Sequence, residues 1–454
     1  MIRPLRTLLA LTLGLSAPAL LALPGCASSN ADVRTVPPGA AKWFERAKAS
    51  YRAADMDDAR DSAKSALVAA PGNLSIKETA ARVHLARLEY AEALRLLQGA
   101  ESSDARGLKG RALWYSGDVD AAADELEALL GDPGVKDEWA KQIALLARRG
   151  AGRKPFQIEG ALVANTPMGP VRGPNFVVPI EIDGEQALAL VATDKGEVVL
   201  DSAARREPSW VQLRFAERIT VSNVPALTED LSGVSKEIGA PIKALLGVNL
   251  LRRLNVTFDL VGQQFVVRTR EPPAPPRATR VGISYALGGA MITRAGFSTA
   301  GDVSSPVLVN TRQVYPLQLD DKGWQAAGVP AADLKPILGA VNDKGAKLSA
   351  LRLGAYSIPG VPGYAGPSFA GVRSAIGVDV VGSVGAGLLA FFRCTLIDGG
   401  RALWVEELPD IAPATPMPAT ETGSAPPSAP PSSPGPRPAA PGPQPGRPPA
   451  PRAP

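Results

Sequence analysis

Two short stretches, each entered from one apolar run and left into another, constrain this chain most. The first is Leu190-Val191-Ala192-Thr193-Asp194. It follows strand-like runs at 177–182 and 187–191, joined by Asp183-Gly184, a pair that accepts the left-handed backbone of a tight hairpin turn. A third run, 197–200, and a short helical-looking segment, 201–206, come next. Later the order returns, as Pro306-Val307-Leu308-Val309, then Asn310-Thr311-Arg312, then Tyr315-Pro316-Leu317-Gln318-Leu319. The duplication predicts two similar β-rich halves.

The remainder of each half keeps the same order. In the first, 211–215 and 218–221 read as a hairpin, Leu246-Gly247 and Leu250-Leu251 surround a short helix, Phe258-Asp259 ends a strand, and 264–267 closes. In the second, 351–360 echoes the hairpin and Val384-Gly385-Ala386-Gly387-Leu388-Leu389 echoes 246–251. Cys394-Thr395-Leu396 then matches Val256-Thr257-Phe258, and 402–405 closes. This order resembles a retropepsin-like (pepsin-like) aspartic protease, in which a buried strand of each lobe runs into Asp-Thr-Gly. The resemblance implies an all-β bilobal aspartic-protease-like domain, with lobe 1 at 155–270 and lobe 2 at 279–408. The Pro-rich hinge between them, 271–278, is stiffened by its prolines.

An aspartic protease needs two carboxylates sharing a proton, one as base on a water and one as acid on the peptide carbonyl. The equivalent positions here are Ala192 and Asn310, and neither ionises. The family's glycines, which let the loops pass close together, are replaced by Asp194 and Arg312. Thr193 and Thr311 remain, and in the family such hydroxyls brace the paired loops. The resemblance therefore implies a pseudoenzyme with no intact catalytic pair. A second register keeps an active peptidase open. Val198-Val199-Leu200-Asp201-Ser202 and Leu319-Asp320-Asp321 also read as strand then acid, making Asp201 and Asp320 an alternative dyad. Otherwise these are exposed turn carboxylates. Strand geometry would set them on the order of 25 Å from the paired loops.

Residues 41–150 change period to an alanine-rich helical repeat. Trp43, Ala47, Tyr51, Ala59, Ala63, Ala66 and Pro71 form one set, and Ala81, Leu85, Ala93, Leu97 and Ala100 a second. Gly110 to Tyr115, with Gly117-Asp118 and Ala122, form a third. Small residues at the closest contact let antiparallel helices approach while large ones fill the gaps. The spacing resembles tetratricopeptide (TPR) repeats. That implies an all-α TPR-like domain whose concave groove takes a peptide or protein partner, with the inter-lobe cleft as the other place for one. His84 reads as a packed or surface residue.

Composition narrows the chemistry. A single histidine and two cysteines in 454 residues leave neither a zinc cluster nor a histidine-based triad in addition to His84, and no metal or other cofactor is expected. The net charge of +5 is scattered, without a basic stripe interleaved with aromatics, so nucleic acid is not an expected partner. Residues 1–25 read as an export signal, with Arg3 and Arg6 before an apolar run. It ends in Leu23-Pro24-Gly25-Cys26, which resembles a bacterial lipobox and implies a lipid on Cys26 and membrane attachment through it. Ala27 and Ser28 contain no aspartate retention signal, pointing to the outer membrane of the cell envelope, facing the periplasm or the cell surface. Residues 26–40 form a linker. Cys394 reads as a small buried hydrophobe. The tail, 409–454, is Pro, Ala, Ser and Gly-rich, cannot bury a core, and is expected to be a disordered spacer or a polyproline ligand.

The expectation is an exported lipoprotein that binds or scaffolds a partner. Its rivals are a working peptidase using Asp201 and Asp320 and a plain structural spacer.

Overall fold

Side-chain caps set the helix starts. Asp55, Asn73, Ser102, Asp118 and Asp137 each accept a hydrogen bond from an amide three residues on, satisfying a donor the first helical turn leaves open. In the computed structural model, which describes residues 34–287, 289–299, 303–337 and 343–407, five of the seven helices of the N-terminal region start at these caps, while the first begins after Pro37 and the fourth after Glu89 without one. The seven are α1 (Pro38–Arg52), α2 (Met56–Ala69), α3 (Leu74–Ala86), α4 (Tyr90–Leu96), α5 (Ser103–Ser116), α6 (Val119–Leu130) and α7 (Glu138–Arg149). Cys26, the export segment and the proline-rich tail lie outside the described residues. Gly117, at φ 96°, ends α5 in the left-handed region and turns the chain into α6. Ala47, Ala59, Ala63, Ala81, Ala93 and Ala122 are all buried. A Cβ on Gly110 would come within 2.4 Å of Leu126, so bare backbone is what lets α5 and α6 approach there.

A β-rich region follows the helices, and its first half is a closed barrel. Strands run in the order Gln157–Gly160, Ile219–Glu229, Val198–Asp201, Ile242–Gly247, Glu185–Ala192, Val177–Ile182, Ser209–Phe215, and the last pairs back onto Ile219–Glu229. The segment 202–206 is a turn rather than the expected helix. The buried Asp201 carboxyl accepts the Ala203 amide at 3.3 Å, and the chain bends around it.

The second half repeats the pairing. Ser305–Asn310 lies parallel to Gly382–Gly385, which is antiparallel to Leu317–Leu319, itself parallel to Pro362–Ala365. In the first half the same relations hold for Glu185–Ala192, Ile242–Gly247, Val198–Asp201 and Ile219–Glu229. Helices Ser232–Ile238 and Ala370–Ile376 occupy matching places, each ended by a left-handed glycine, Gly239 or Gly377. A six-stranded sheet joins the halves, with Thr257–Asp259 beside Phe392–Ile397 at its centre. There Thr257 pairs with Thr395, and their hydroxyls lie 2.8 Å apart. One apolar core runs from Phe176 and Leu213 through Phe258 to Leu351 and Leu403, so the halves share an interior.

Candidate functional site

The two duplicated loops meet. The Thr193 amide donates to Thr311 Oγ1 at 3.1 Å, and the Thr311 amide donates to Thr193 Oγ1 at 3.0 Å. Each hydroxyl then donates across the junction, Thr193 to the Val309 carbonyl and Thr311 to the Val191 carbonyl, both at 2.6 Å. Both threonines are 0% exposed, so every bond replaces one that water cannot supply. Ala192, beside them, is also fully buried. The Asn310 side-chain oxygen accepts the Arg312 amide at 3.0 Å, folding that side chain onto its own loop.

Above the threonines, Arg312 and Asp194 close the junction. Arg312 Nε donates to Asp194 at 2.8 Å and a second guanidinium nitrogen bonds the other oxygen. This two-point pairing fits the planar fork of arginine. The Asp194 hydrogen bonds raise the Arg312 pKa still further, against the effect of its partial burial. The two loops thus present a methyl group at Ala192, an amide at Asn310 and an ion pair between Asp194 and Arg312.

Two glycines let the supporting strands approach. A Cβ on Gly247 would lie 2.1 Å from the Glu197 carbonyl, and one on Gly385 would lie 2.1 Å from the Tyr315 carbonyl. These are matching places in the two halves, one residue before the short helices Val248–Leu251 and Ala386–Leu389.

Asp201 and Asp320 are not the exposed turn residues expected of them; they are 6% and 5% exposed. Each is tied within its own half. Asp201 accepts Lys243 Nζ at 3.1 Å and the Leu231 amide at 3.5 Å, at the start of helix Ser232–Ile238. Asp320 accepts Arg373 at 2.6 Å and the Phe369 amide at 3.4 Å, at the start of the matching helix Ala370–Ile376. No hydrogen bond or ion pair joins these two carboxylates. Their shared role here is to anchor equivalent helices.

The inner face of the helices is packed against the β-rich region. Tyr51 of α1 donates to the Ile376 carbonyl, and Val83 and Ala86 of α3 join a cluster with Ile292, Leu308, Phe369 and Val380. Trp114 of α5 packs edge-on against Trp210, whose indole donates to the Leu146 carbonyl of α7 at 2.9 Å. Part of the helical surface is therefore covered by the chain itself. An open groove of about 610 Å³ remains between the α2–α3 end and the second half, lined among others by Asp55, Arg87, Arg280, Arg294 and Arg401. His84 sits 2.5 Å from Glu89 on the helical region, and Cys394 is buried, its thiol pKa pushed up by that burial.

One buried group escaped the sequence reading. Glu197, 6% exposed, faces α5 across the junction, with Trp114 Nε1 at 3.3 Å and Asn249 Nδ2 at 3.4 Å. The signal was an acidic residue opening an otherwise apolar strand, directly after the first duplicated loop.

Among the described residues, no group of three or more His, Cys, Asp or Glu side chains is placed to hold a metal. No described helix is long and apolar enough to cross a membrane. No protein-family model matches the chain, and no curated protein matches it significantly in sequence.

Proposed function

We propose that this chain is an envelope lipoprotein in which TPR-like helices embrace a pepsin-like bilobal domain that has no catalytic pair and serves as a binding scaffold. The observation that carries this reading is the loop junction. Reciprocal Thr193–Thr311 bonds are what a pepsin-like pair uses to lock its lobes, and here they coexist with Ala192 and Asn310. The repeated strand pairing of the two halves and their shared central sheet support the same fold. General acid and general base groups are each typically worth about 10²–10⁴ in rate, and neither is present at this junction. The lysine and arginine tethers on Asp201 and Asp320 argue against the alternative dyad. The groove of about 610 Å³, polar and open, is the favoured place for a partner, beside the inter-lobe cleft and what remains of the helical face.

The test is digestion of an unfolded protein substrate from acid to neutral pH, with and without a transition-state-mimicking aspartic protease inhibitor. The expected result is no inhibitor-sensitive cleavage. Cleavage that persists in Asn310→Ala and vanishes in Asp201→Asn or Asp320→Asn would establish the rival, an active peptidase.

A further inference from the structure

A second groove, of about 360 Å³, lies where α1, α3 and the first turn of α5 meet the β-rich region. Arg82 of α3 lines it and is uncommitted. Its Nε is buried without a hydrogen-bond partner, and among the described residues no acid pairs with its guanidinium. Glu78, one turn earlier on α3, instead accepts the Ser102 hydroxyl at 2.5 Å and Arg34 at 3.5 Å. Arg52 of α1 is exposed on the same groove and likewise has no acid partner among the described residues. Lys48 holds the exposed Glu45 at 3.1 Å, a surface pairing of little strength. Asp104, the other acid of the groove, pairs with neither arginine. Four cations thus line the groove against two carboxylates, one of which is already bonded.

The cations recur with the helical repeat. Lys48 follows Ala47 as Arg82 follows Ala81, and these alanines hold the same place in successive repeats, so α1 and α3 set both cations along one groove. The β-rich region lines it at Gly377, and Tyr51 ties the two regions there by donating to the Ile376 carbonyl at 3.3 Å. A carboxylate entering the groove meets a guanidinium whose planar fork matches it and which need not abandon another partner. The exposed surface outside is of mixed sign, with Glu45, Asp57 and Asp61 among its cations, so it offers no uniformly basic face to a bilayer. We propose, on the binding-scaffold reading and resting on it, that this groove takes an extended acidic peptide. Arg82 receives its carboxylate, and Arg52 and Lys48 flank it.

The experiment is fluorescence anisotropy on the full chain in dodecyl maltoside micelles, with a labelled, capped peptide of alternating Ala and Glu as the probe. The same peptide with Gln for Glu is the neutral comparison and is expected to bind far more weakly. A lost hydrogen-bonded charge pair corresponds to roughly tenfold to a hundredfold in affinity, and Arg82→Gln should weaken the acidic probe by that factor. Lys64→Gln, which removes an exposed cation of α2 outside the groove, should leave binding unchanged. No binding of the acidic probe, equal binding of both probes, or equal loss in Arg82→Gln and Lys64→Gln overturns the site. Displacement of the probe by phosphatidylglycerol added to the micelles also overturns it, in favour of a lipid. Should Arg82→Gln not fold, Arg52→Gln takes its place, and unchanged binding in that variant rejects the site. Mass spectrometry of the recovered probe separates the two readings. Cut peptide counts against the scaffold, whereas intact peptide with undiminished binding in Arg82→Gln counts against the site alone.

Discussion

Thr193 and Thr311 hold each other by both backbone and side chain, each amide donating to the other's hydroxyl at 3.1 and 3.0 Å. Because each hydroxyl also donates to a carbonyl across the junction, neither threonine can be satisfied by its own half alone. Thr193→Val or Thr311→Val is expected to leave buried amide and carbonyl groups unpaired, costing about 1–3 kcal/mol for each group so exposed. In urea unfolding the double variant should cost nearly the sum of the singles, since each substitution removes its own amide and carbonyl bonds and the two share just the 3.4 Å contact between the hydroxyls. Thr→Ser at either site should recover most of the loss. Unchanged stability in both single variants would mean that these bonds do not hold the loops together.

The close approach at Gly247 and Gly385 makes a second expectation. An added methyl meets the backbone carbonyl of Glu197 or Tyr315 at 2.1 Å, and backbone yields less easily than a side-chain end. Gly247→Ala and Gly385→Ala should each destabilise by roughly 3 kcal/mol, the upper end of ordinary overpacking. Gly282→Ala, at a glycine that likewise has no positive φ but has nothing within 4 Å, serves as the comparison for loss of a glycine without a clash. Equal melting shifts in all three variants would remove the steric explanation.

In the helical region, Ala59, Ala93 and Ala122 are 0%, 1% and 0% exposed. Replacing any of them with Leu should overpack a helix pair at about 1–3 kcal/mol. Thermal unfolding of the three variants measures this, and unchanged midpoints in all three would contradict close packing at these positions.

Arg312→Gln should strand the Asp194 carboxylate, which is 15% exposed, at a cost of about 1–3 kcal/mol for a charged group losing its partner. Asp194→Asn combined with Arg312→Gln should recover part of it, because a neutral pair leaves no unpaired charge. The measurement is chemical unfolding of the singles and the double. No gain of peptidase activity is expected in any of them.

Cys26→Ala should abolish acylation and leave the export segment uncleaved at that position. Mass spectrometry of the mature N-terminus reads this directly, and an unmodified N-terminus elsewhere in the wild type would overturn lipid attachment.

Local pattern carried most of the element order. The period of alanines and the Asp, Asn and Ser caps mark the helices, and the alternation around 177–192 and 305–319 marks the paired strands, because these signals act within a few residues. The duplication of the loops was equally legible, as was the lack of an ionisable group at Ala192 and Asn310. Long-range placement was not. Asp201 and Asp320 look like turn acids until the chain brings Lys243 and Arg373 to them from distant segments and buries the two carboxylates at two helix starts. The sequence does not reveal that Tyr51, Val83 and Trp114 pack the helices onto the β-rich region. Glu197 reads as one acid in a strand, and only its enclosure by α5, α7 and Asn249 changes its proton affinity. Sequence alone determined which residues can form which elements and which chemistry is missing at the paired loops, since both depend on residue type and near neighbours. Tertiary structure alone decided which polar groups lose water and what replaces it, since that depends on residues brought together from far along the chain.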